Sequence, residues 1–371
     1  MHSPATRPHL YFWEFKLDSL LIFLLISEIK MEPTIYDYSD DDLYTPVTVC
    51  ERDSDNKLGA HLSILFYFMF LFSLIGNGLV LVIIYRFEKL TTVTNILLLN
   101  LVVSSLIFMS SLPFMGVYMQ VSQWIFGTAM CKIFWSVYYL GLYSSVLFLT
   151  LLTFDRHLAV VYSLSSMQVR NRKYAVISCI VVWLVSILVC IKRVILHTTY
   201  FNFIDNKTYC DEYPGDLNSS HVQHLRTAGF YIQIFLFLLF PLIVIIYCYV
   251  RIAITVISSK IATKFKTVRL IFIIVLLFFM CWTPFNIVEL MYDKVTTCDE
   301  VSKWGYAHHV TRNLAYIYFC ISPIFYTFVG KKFQNYFRQM LVKRFPGLKK
   351  HISVSQHSRT NTSAKTTPVD L

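Results

Sequence analysis

The stretch that decides the fold is residues 270–288, LIFIIVLLFFMCWTPFNIV, in which 19 consecutive residues carry no charge. A helix needs about 20 residues to cross the roughly 30 Å hydrocarbon core of a lipid bilayer. Because this segment is long enough and apolar enough to do so, we predict that it forms a transmembrane helix.

Six more uncharged runs share this character, and they lie at 62–85, 90–131, 133–154, 174–191, 227–250 and 313–330. Five of them are about one membrane crossing in length. The run at 90–131 is longer, and we interpret it as one span followed by the loop around Trp124. The sequence therefore predicts seven spans, numbered 1 to 7 along the chain, with residues 270–288 as span 6.

The composition excludes a soluble protein. Of the 371 residues, 56% are hydrophobic and only 15% are charged, and the mean hydropathy is +0.55. The formal net charge of +11 is not gathered on a soluble domain, so a nucleic-acid-binding protein is excluded as well. We expect an all-α membrane protein, a seven-transmembrane helix bundle that contacts the lipid bilayer and uses no cofactor.

The distribution of charge predicts the orientation in the membrane. With the N-terminus outside, the cytoplasmic segments hold 20 of the 33 Lys and Arg residues but only 3 of the 22 Asp and Glu residues. This agrees with the rule that positive residues stay on the cytoplasmic side. We predict a multi-pass protein of the plasma membrane with an extracellular N-terminus, whose acidic outer face attracts basic partners.

The chain divides into four parts: 1–30, an uncertain leader or mis-assigned start; 31–57, an acidic extracellular tail; 58–345, the bundle; and 346–371, a Ser- and Thr-rich cytoplasmic tail. The apolar run Leu20–Ile26 is typical of a short leader, whereas Met31 offers an alternative start. After span 7, residues 331–343 carry apolar side chains at helical spacing. They predict a short amphipathic helix on the cytoplasmic membrane surface.

Six of the spans contain a short sequence motif. They are Gly76-Asn77 in span 1, Asp155-Arg156-His157 at the end of span 3, Trp183 in span 4, Pro241 and Tyr249 in span 5, Cys281-Trp282-Thr283-Pro284 in span 6, and Ser322-Pro323-Ile324-Phe325-Tyr326 in span 7. Each motif is weak by itself, but their concordant placement is a strong signal. Over residues 58–345 the chain resembles the rhodopsin-like G-protein-coupled receptors.

This resemblance implies a two-state switch on the cytoplasmic side. Asp155 is expected to hold Arg156 at rest, and the release of Arg156 would let it meet a heterotrimeric G protein. The resemblance also implies roles deeper in the bundle: Trp282 lies under the ligand pocket, Pro284 kinks span 6, Pro323 belongs to the span 7 motif, and Tyr249 and Tyr326 stabilise the open form.

The cysteines narrow the resemblance to the chemokine receptors. Cys131 and Cys210 resemble the disulfide pair of most rhodopsin-like receptors, and Cys50 and Cys298 resemble the second bridge typical of chemokine receptors. All four lie on the oxidising side of the membrane, where disulfides persist. The others lie in apolar spans, and we expect them to be free: Cys179, Cys190, Cys248, Cys281 and Cys320.

Three stretches, 142–150, 267–272 and 312–315, resemble the XC-type (lymphotactin) branch of this family. Many other chemokine receptors have a glutamate where this chain has Arg312, so the position separates branches. The resemblance implies a basic chemokine, possibly XC-type, as the extracellular ligand and an inhibitory-type G protein as the intracellular partner. Chemotaxis and calcium signalling are the expected outcome, with arrestin and receptor kinases acting at the cytoplasmic tail.

The acidic tail is a candidate segment for ligand capture. Three tyrosines and three aspartates lie close together there: Tyr36, Tyr38, Tyr44, Asp40, Asp41 and Asp42. Acidic neighbours are what tyrosine sulfation requires, and a sulfate accepts paired hydrogen bonds from arginine. The alternative, which stays open, is the solvated disordered tail that acidic runs usually form.

Two sequons in the second outer loop predict glycosylation, at Asn206 and at Asn218.

Charged residues at membrane depth are costly and usually functional. We expect Tyr138, Glu289 and Arg312 to line the pocket that receives the N-terminal segment of the ligand. For Lys192 and Arg193, at the outer end of span 4, we instead expect long side chains that extend to the membrane interface without a further role.

Two departures from the family pattern concern ions. Ser105 replaces the usual aspartate of span 2, and Ser322 replaces the usual asparagine before Pro323. A sodium ion needs a carboxylate to offset its dehydration, so we expect no metal site in the bundle.

Two alternative functions stay open, and neither is an enzyme. An atypical, arrestin-biased scavenger of chemokines is favoured by inner departures such as His157, which replaces a common tyrosine, and disfavoured by the intact Asp155-Arg156 pair. A transporter or channel is the remote alternative. It predicts internal repeats, interrupted helices and charged residues near the middle of the bilayer, which the sequence does not indicate.

Replacing Tyr36, Tyr38 and Tyr44 together with Phe should weaken ligand binding by roughly 1–3 kcal/mol, the scale of a few charge-assisted hydrogen bonds. The dissociation constant should be measured at physiological salt, because low salt exaggerates long-range attraction. An unchanged dissociation constant would count against a role for these tyrosines.

Overall fold

The structure is a computed structural model, and it describes residues 57–87, 92–162, 170–202, 206–212, 220–259, 262–292, 298–324, 331–345 and 347. In chain order the helices and strands are α1 (Lys57–Phe87), α2 (Val93–Met109), α3 (Leu112–Val121), α4 (Gly127–Val161), α5 (Arg172–Leu196), β1 (His197–Asn202), β2 (Lys207–Glu212), α6 (Ser220–Ile234), a π-helical turn (Phe235–Leu239), α7 (Phe240–Ser259), α8 (Ala262–Tyr292), α9 (Cys298–Ile324) and α10 (Lys331–Arg344).

These helices confirm the predicted seven-helix bundle. Span 1 is α1, span 2 is α2 with α3, spans 3 and 4 are α4 and α5, span 5 is α6 with α7, and spans 6 and 7 are α8 and α9. In the described part of the chain, the helices of spans 1 to 5 are long and apolar enough to cross a membrane, and span 6 contains the shorter apolar segment Val275–Glu289. The predicted amphipathic helix is α10, and Tyr336 on it stacks on Phe87 at the end of span 1.

Span 2 is not one continuous helix, contrary to the sequence-based expectation of uninterrupted spans. α2 ends at Met109, and α3 begins at Leu112 with Pro113 in its first turn. Proline has no backbone N–H and its ring clashes with the preceding turn, so the helix breaks ahead of it. The hydroxyls of Ser110 and Ser111 donate to the carbonyls of Ile107 and Phe108, which satisfies backbone acceptors near the break.

Span 5 contains a π-helical turn at Phe235–Leu239. Its buried residue, Phe237, stacks face to face on Tyr143 of span 3, with ring centroids 3.9 Å apart. The extra residue of a π turn rotates the helix on either side of it, and such turns are frequent at functional sites.

Span 3 is the central helix of the bundle. In its most apolar 18-residue window 72% of the residues are buried, against 22% for span 5. It packs against spans 2, 4 and 5 and against both strands. Large side chains from several spans fill the core around it, among them Phe66, Phe108, Phe134, Tyr143, Phe148, Phe278 and Tyr316.

A β-hairpin follows span 4 on the outer side. The strands pair antiparallel, with His197 opposite Glu212 and Thr199 opposite Cys210. Trp124 donates its backbone N–H to the carbonyl of Thr208, which ties the loop after span 2 to the hairpin. Asn206 lies exposed before the second strand with a φ of 52°, a left-handed conformation that asparagine tolerates better than most residues.

Spans 2 and 3 approach each other closely at Gly141. A Cβ added at this position would lie 2.6 Å from Phe108 Cα, and backbone atoms move only if the helix moves. Gly141→Ala should therefore lower stability by about 1–3 kcal/mol, the usual cost of overpacking. Gly78→Ala is the matched control, because nothing lies within 4 Å of its added Cβ. Thermal unfolding of the purified protein measures both changes, and equal melting temperatures would refute the close approach.

Candidate functional site

The hairpin is fixed to the outer end of span 3 by a disulfide. Cys131 and Cys210 are bonded, with an S–S distance of 2.00 Å and a Cα–Cα distance of 5.7 Å, which confirms the first predicted pair. The five cysteines expected to be free are free and buried. Cys50 lies outside the described residues, as does the side chain of Cys298, so the second pair stays a prediction.

Arg193 is the centre of a buried polar network between spans 3, 4 and 5. Its Nη1 donates to Glu212 Oε1 on the hairpin at 2.9 Å, and its Nη2 donates to Gln233 Oε1 on span 5 at 2.7 Å. The guanidinium carbon lies 3.7 Å from the ring centroid of Tyr139, a cation–π distance. Tyr143 donates to the same Gln233 oxygen at 3.1 Å.

The expectation that Lys192 and Arg193 extend to the interface is wrong. Both are buried, at 8% and 7% exposure, and Lys192 Nζ lies 3.5 Å from Glu212 Oε1. The reason is the hairpin, which brings Glu212 over the end of span 4. A carboxylate near two cations offsets their desolvation, so they stay inside the protein.

His197 lies beside this network at the start of β1 and carries no charge. Its ring is 1% exposed, and burial together with the nearby charge of Arg193 lowers the pKa of His197 to about 2. The carbonyl of Arg193 can only accept, so His197 Nδ1 donates to it, at 3.1 Å. His197 therefore closes the network without adding charge.

Aromatic side chains lie in the bundle at the level of the expected pocket. Tyr316 of span 7 donates to the hydroxyl of Tyr138 of span 3 at 3.2 Å, and both rings contact Phe108. Trp282 lies next to this group, with its ring centroid 6.5 Å from that of Phe108. Tyr138, predicted for the pocket, and Trp282, predicted to lie under it, are thus connected through Phe108.

Arg312 and Glu289 are the charged residues predicted for this pocket. Arg312 Nη2 lies 2.9 Å from Nδ1 of His309 and 4.0 Å from Met119 Sδ. It interacts electrostatically with Tyr138 and Tyr316. Glu289 interacts electrostatically with Tyr316 as well, and also with Arg193. Tyr316 is thus the residue that Tyr138 contacts and that Arg312 and Glu289 both influence, whereas a pocket lined by all three stays a prediction.

The cytoplasmic end of span 3 holds the expected ion pair and a second one. The Asp155 carboxylate is fully buried, and Arg156 Nη2 donates to it at 3.2 Å. Arg170 donates from Nε and Nη2 at 2.7 and 3.0 Å, and Thr94 donates at 3.0 Å. Thus two side chains outside the motif, Arg170 and Thr94, satisfy Asp155 more fully than Arg156 does.

The other switch residues are described in part. Tyr249 contacts Phe272 edge to face, with centroids 5.2 Å apart, and Pro284 lies within α8. Trp183 donates to Asn100 Oδ1 at 2.9 Å and so connects spans 4 and 2. Several predicted residues lie outside the described residues or side chains: Tyr36, Tyr38, Asp40, Asp41, Asp42, Tyr44, Asn218, Pro323 and Tyr326.

Sequence reasoning missed Gln233, Glu212, Arg170 and Thr94. None of them belongs to a motif, and each meets its partner only through folding. A signal was present for two of the four: Glu212 is an acid two residues after Cys210, and Arg170 belongs to the basic stretch 170–173 that leads into span 4.

Comparison with known proteins identifies the family. The sequence model described as 7 transmembrane receptor (rhodopsin family) matches residues 76–326. The C-C chemokine receptor type 3 of Cavia porcellus is 34% identical over 316 residues, which cover 83% of this chain and 84% of that receptor. This chain belongs to the chemokine receptor family. The C-C chemokine receptor type 1 of Homo sapiens is 34% identical over 320 residues, 83% of this receptor and 87% of the human one.

One of the similar proteins is viral. The G-protein coupled receptor E1 of Equine herpesvirus 2 is 33% identical over 308 residues, 81% of this receptor and 79% of the viral protein. Membership of the family makes the receptor a multi-pass protein of the plasma membrane and not an enzyme.

These relatives do not support the XC-type branch that the sequence suggested. Their names assign them to the C-C type. One of the three stretches that suggested the XC-type branch shows why that assignment failed. Most residues of 142–150 are buried in span 3, where packing restricts the side chain whatever the ligand is.

Breaking the pair between Arg193 and Glu212 should loosen the hairpin. Arg193→Met should lower stability by roughly 2–4 kcal/mol, because Glu212 and Gln233 each lose the shorter of their two contacts in a buried site. Lys192→Gln should cost less, since Glu212 keeps its shorter bond to Arg193. The double variant of Arg193→Met with Glu212→Gln should lose less than the sum of the single changes. Additive melting temperatures would show that the two side chains are not coupled.

Proposed function

We propose that this receptor binds a basic chemokine on its outer face and activates an inhibitory-type heterotrimeric G protein on its cytoplasmic face, supporting chemotaxis and calcium signalling. The observation that supports signalling best is the geometry at Asp155. Arg170 makes two hydrogen bonds to this carboxylate and Arg156 makes one, the longest of the four bonds. Arg156 can therefore leave without exposing a buried, unpaired carboxylate.

A second feature of Arg156 favours its release. Its side chain is 19% exposed, and its Nε is buried without a hydrogen-bond partner. A buried donor that lacks a partner costs free energy at rest. A G protein that offers acceptors to the guanidinium would satisfy this donor, and that gain favours the bound, active arrangement.

A change that the ligand causes on the outer side reaches the pair of Asp155 and Arg156 through the core of the bundle. A ligand that contacts Tyr138 alters the contact of Phe108 with Trp282, directly below the pocket. Phe278 stacks under Trp282 with centroids 6.0 Å apart, on the same helix as Pro284. A helix pivots where proline removes a hydrogen bond, so the inner half of span 6 swings. Tyr249 and Tyr326 then stabilise the open form.

The ligand is captured first by the acidic tail, in which Tyr36, Tyr38 and Tyr44 are sulfated. The proposal includes a second disulfide, between Cys50 and Cys298. Asn206 and Asn218 carry glycans. The exposed position of Asn206 before β2 supports a glycan there.

The ligand class is settled by a screen. Cells that express the receptor are exposed to panels of C-C and XC-type chemokines, and cyclic AMP, calcium and arrestin recruitment are recorded. A ligand-induced fall in cyclic AMP that pertussis toxin abolishes supports the proposed coupling. Arrestin recruitment without any G-protein response identifies a scavenger instead, with receptor kinases and arrestin acting on residues 346–371.

Arg156→Ala should reduce G-protein activation to background while surface expression stays near normal, because Arg170 and Thr94 still satisfy Asp155. Arg172→Ala is the matched control, since it removes an exposed arginine from the cytoplasmic start of span 4. Activation is measured by nucleotide exchange on purified G protein. Full activation by the Arg156 variant would show that the pair with Asp155 is only structural.

A further inference from the structure

His157 is a buried polar side chain at the cytoplasmic end of span 3. It is 3% exposed, and both nitrogens of its ring are buried. Among the residues that the structure describes, none forms a hydrogen bond with either nitrogen. Each nitrogen of an imidazole donates or accepts a hydrogen bond, so two polar atoms lack partners here. Buried polar atoms without partners are uncommon in native proteins, and they usually mark a functional position or stored strain.

The side chains around His157 are aromatic. Its ring contacts Phe154 on the same helix at a centroid distance of 5.9 Å. Tyr162, which follows the last residue of span 3, and Tyr247 of span 5 each lie 5.6 Å away. Arg251, one turn further along span 5, interacts electrostatically with the imidazole but forms no hydrogen bond with it. The packing therefore holds the ring in place without satisfying its nitrogens.

Two of these aromatic rings form a thin cover over the imidazole. Tyr162 is 42% exposed and Tyr247 is 52% exposed. On these two sides a single side chain separates His157 from the surface of the protein. A small movement of the end of span 3 against span 5 is therefore enough to bring water to the imidazole.

The neighbouring residue adds a third polar atom of the same kind. Arg156 Nε is buried and has no hydrogen-bond partner among the described residues. The closed arrangement thus contains three buried, unsatisfied polar atoms on two successive residues. Burying such atoms costs free energy, and this free energy is regained when they meet water or another partner.

We propose that His157 destabilises the closed state of the receptor and so gives the receptor activity in the absence of ligand. This inference rests on the proposed function, signalling to a G protein. When the cytoplasmic end opens, water satisfies both nitrogens, so the open state lies closer in free energy to the closed state than it would with an apolar ring. His157 is a positioning residue that acts through this equilibrium. The departure from the common tyrosine therefore favours signalling.

The first test needs neither ligand nor G protein. His157→Phe keeps an aromatic ring in contact with its neighbours and removes both unsatisfied nitrogens. The melting temperature of the purified full-length receptor should therefore rise by a few degrees. His157→Leu is a second apolar variant, which guards against a poor fit of the larger ring. If both variants melted below the unmodified receptor, the imidazole would have a partner in the folded protein and the proposal would be wrong.

The second test measures activity without ligand, as nucleotide exchange on purified inhibitory-type G protein with equal amounts of folded receptor. His157→Phe and His157→Leu should lower the receptor-dependent rate about 5- to 50-fold, the range for one buried polar group that gains a partner on opening. His157→Gln should retain more of the rate, because its amide is also polar. Tyr247→Phe is the matched control. It removes only a hydroxyl from a half-exposed ring beside His157 and should leave the rate unchanged.

The response to the activating chemokine from the screen separates this role from a purely structural one. Both apolar variants should need a higher concentration of the chemokine, by a factor similar to the loss of ligand-free exchange, because binding must then supply the difference between the two states. The maximal response should be kept.

Three results would contradict the proposal. A higher melting temperature with unchanged ligand-free exchange would mean that the nitrogens stay buried in the open state. An unmodified receptor that responds to a chemokine but causes no exchange without it would also overturn the proposal. In both cases the proposed function stands. No exchange by the unmodified receptor with any chemokine would remove the proposed function and this inference together.

Discussion

A charge that this bundle buries is stabilised by a partner of opposite charge inside the protein, because neither lipid nor an apolar core can solvate it. In the part of the chain that the structure describes, two ion-pair groups provide such partners. Asp155 accepts from three side chains at the cytoplasmic end of span 3, and Glu212 lies between Lys192 and Arg193 at the outer end of span 4. The two groups fix the helix ends on opposite sides of the membrane.

The two ion-pair groups are built for different purposes. In the outer group one carboxylate serves two cations and Arg193 also binds span 5, so removal of Glu212 takes away the carboxylate that both buried cations share. That group fastens the hairpin and the disulfide over the bundle. In the cytoplasmic group Arg170 keeps Asp155 satisfied by itself, so Arg156 is free to change partners. Rigidity outside and a releasable cation inside are what a receptor that responds to an extracellular protein needs.

Close packing joins the two ends. Span 3 contacts spans 2, 4 and 5 and the hairpin, and aromatic rings fill the space beside it from Tyr138 through Phe108 to Trp282. A packed core transmits a shift because it has no room to absorb one. The absence of a side chain at Gly141 lets spans 2 and 3 approach closely along this route, and the π turn of span 5 aims Phe237 at Tyr143.

The sequence by itself determined the seven spans, their orientation and the amphipathic helix after span 7, because apolar length and the placement of Lys and Arg are local properties that the membrane reads directly. It also indicated the Cys131–Cys210 bridge and the pair of Asp155 with Arg156, through a resemblance carried by short motifs. Only the tertiary structure decided which acceptors Arg193 binds and that Arg170 pairs with Asp155 beside Arg156. It also decided where the helix of span 2 is interrupted and where span 5 forms its π turn. The partner of a buried charge depends on which side chains folding brings together: Arg193 and Gln233 are 40 residues apart, and Thr94 and Asp155 are 61. No local pattern encodes such a meeting, and the same spacing of residues in a differently packed bundle would leave these charges with other partners.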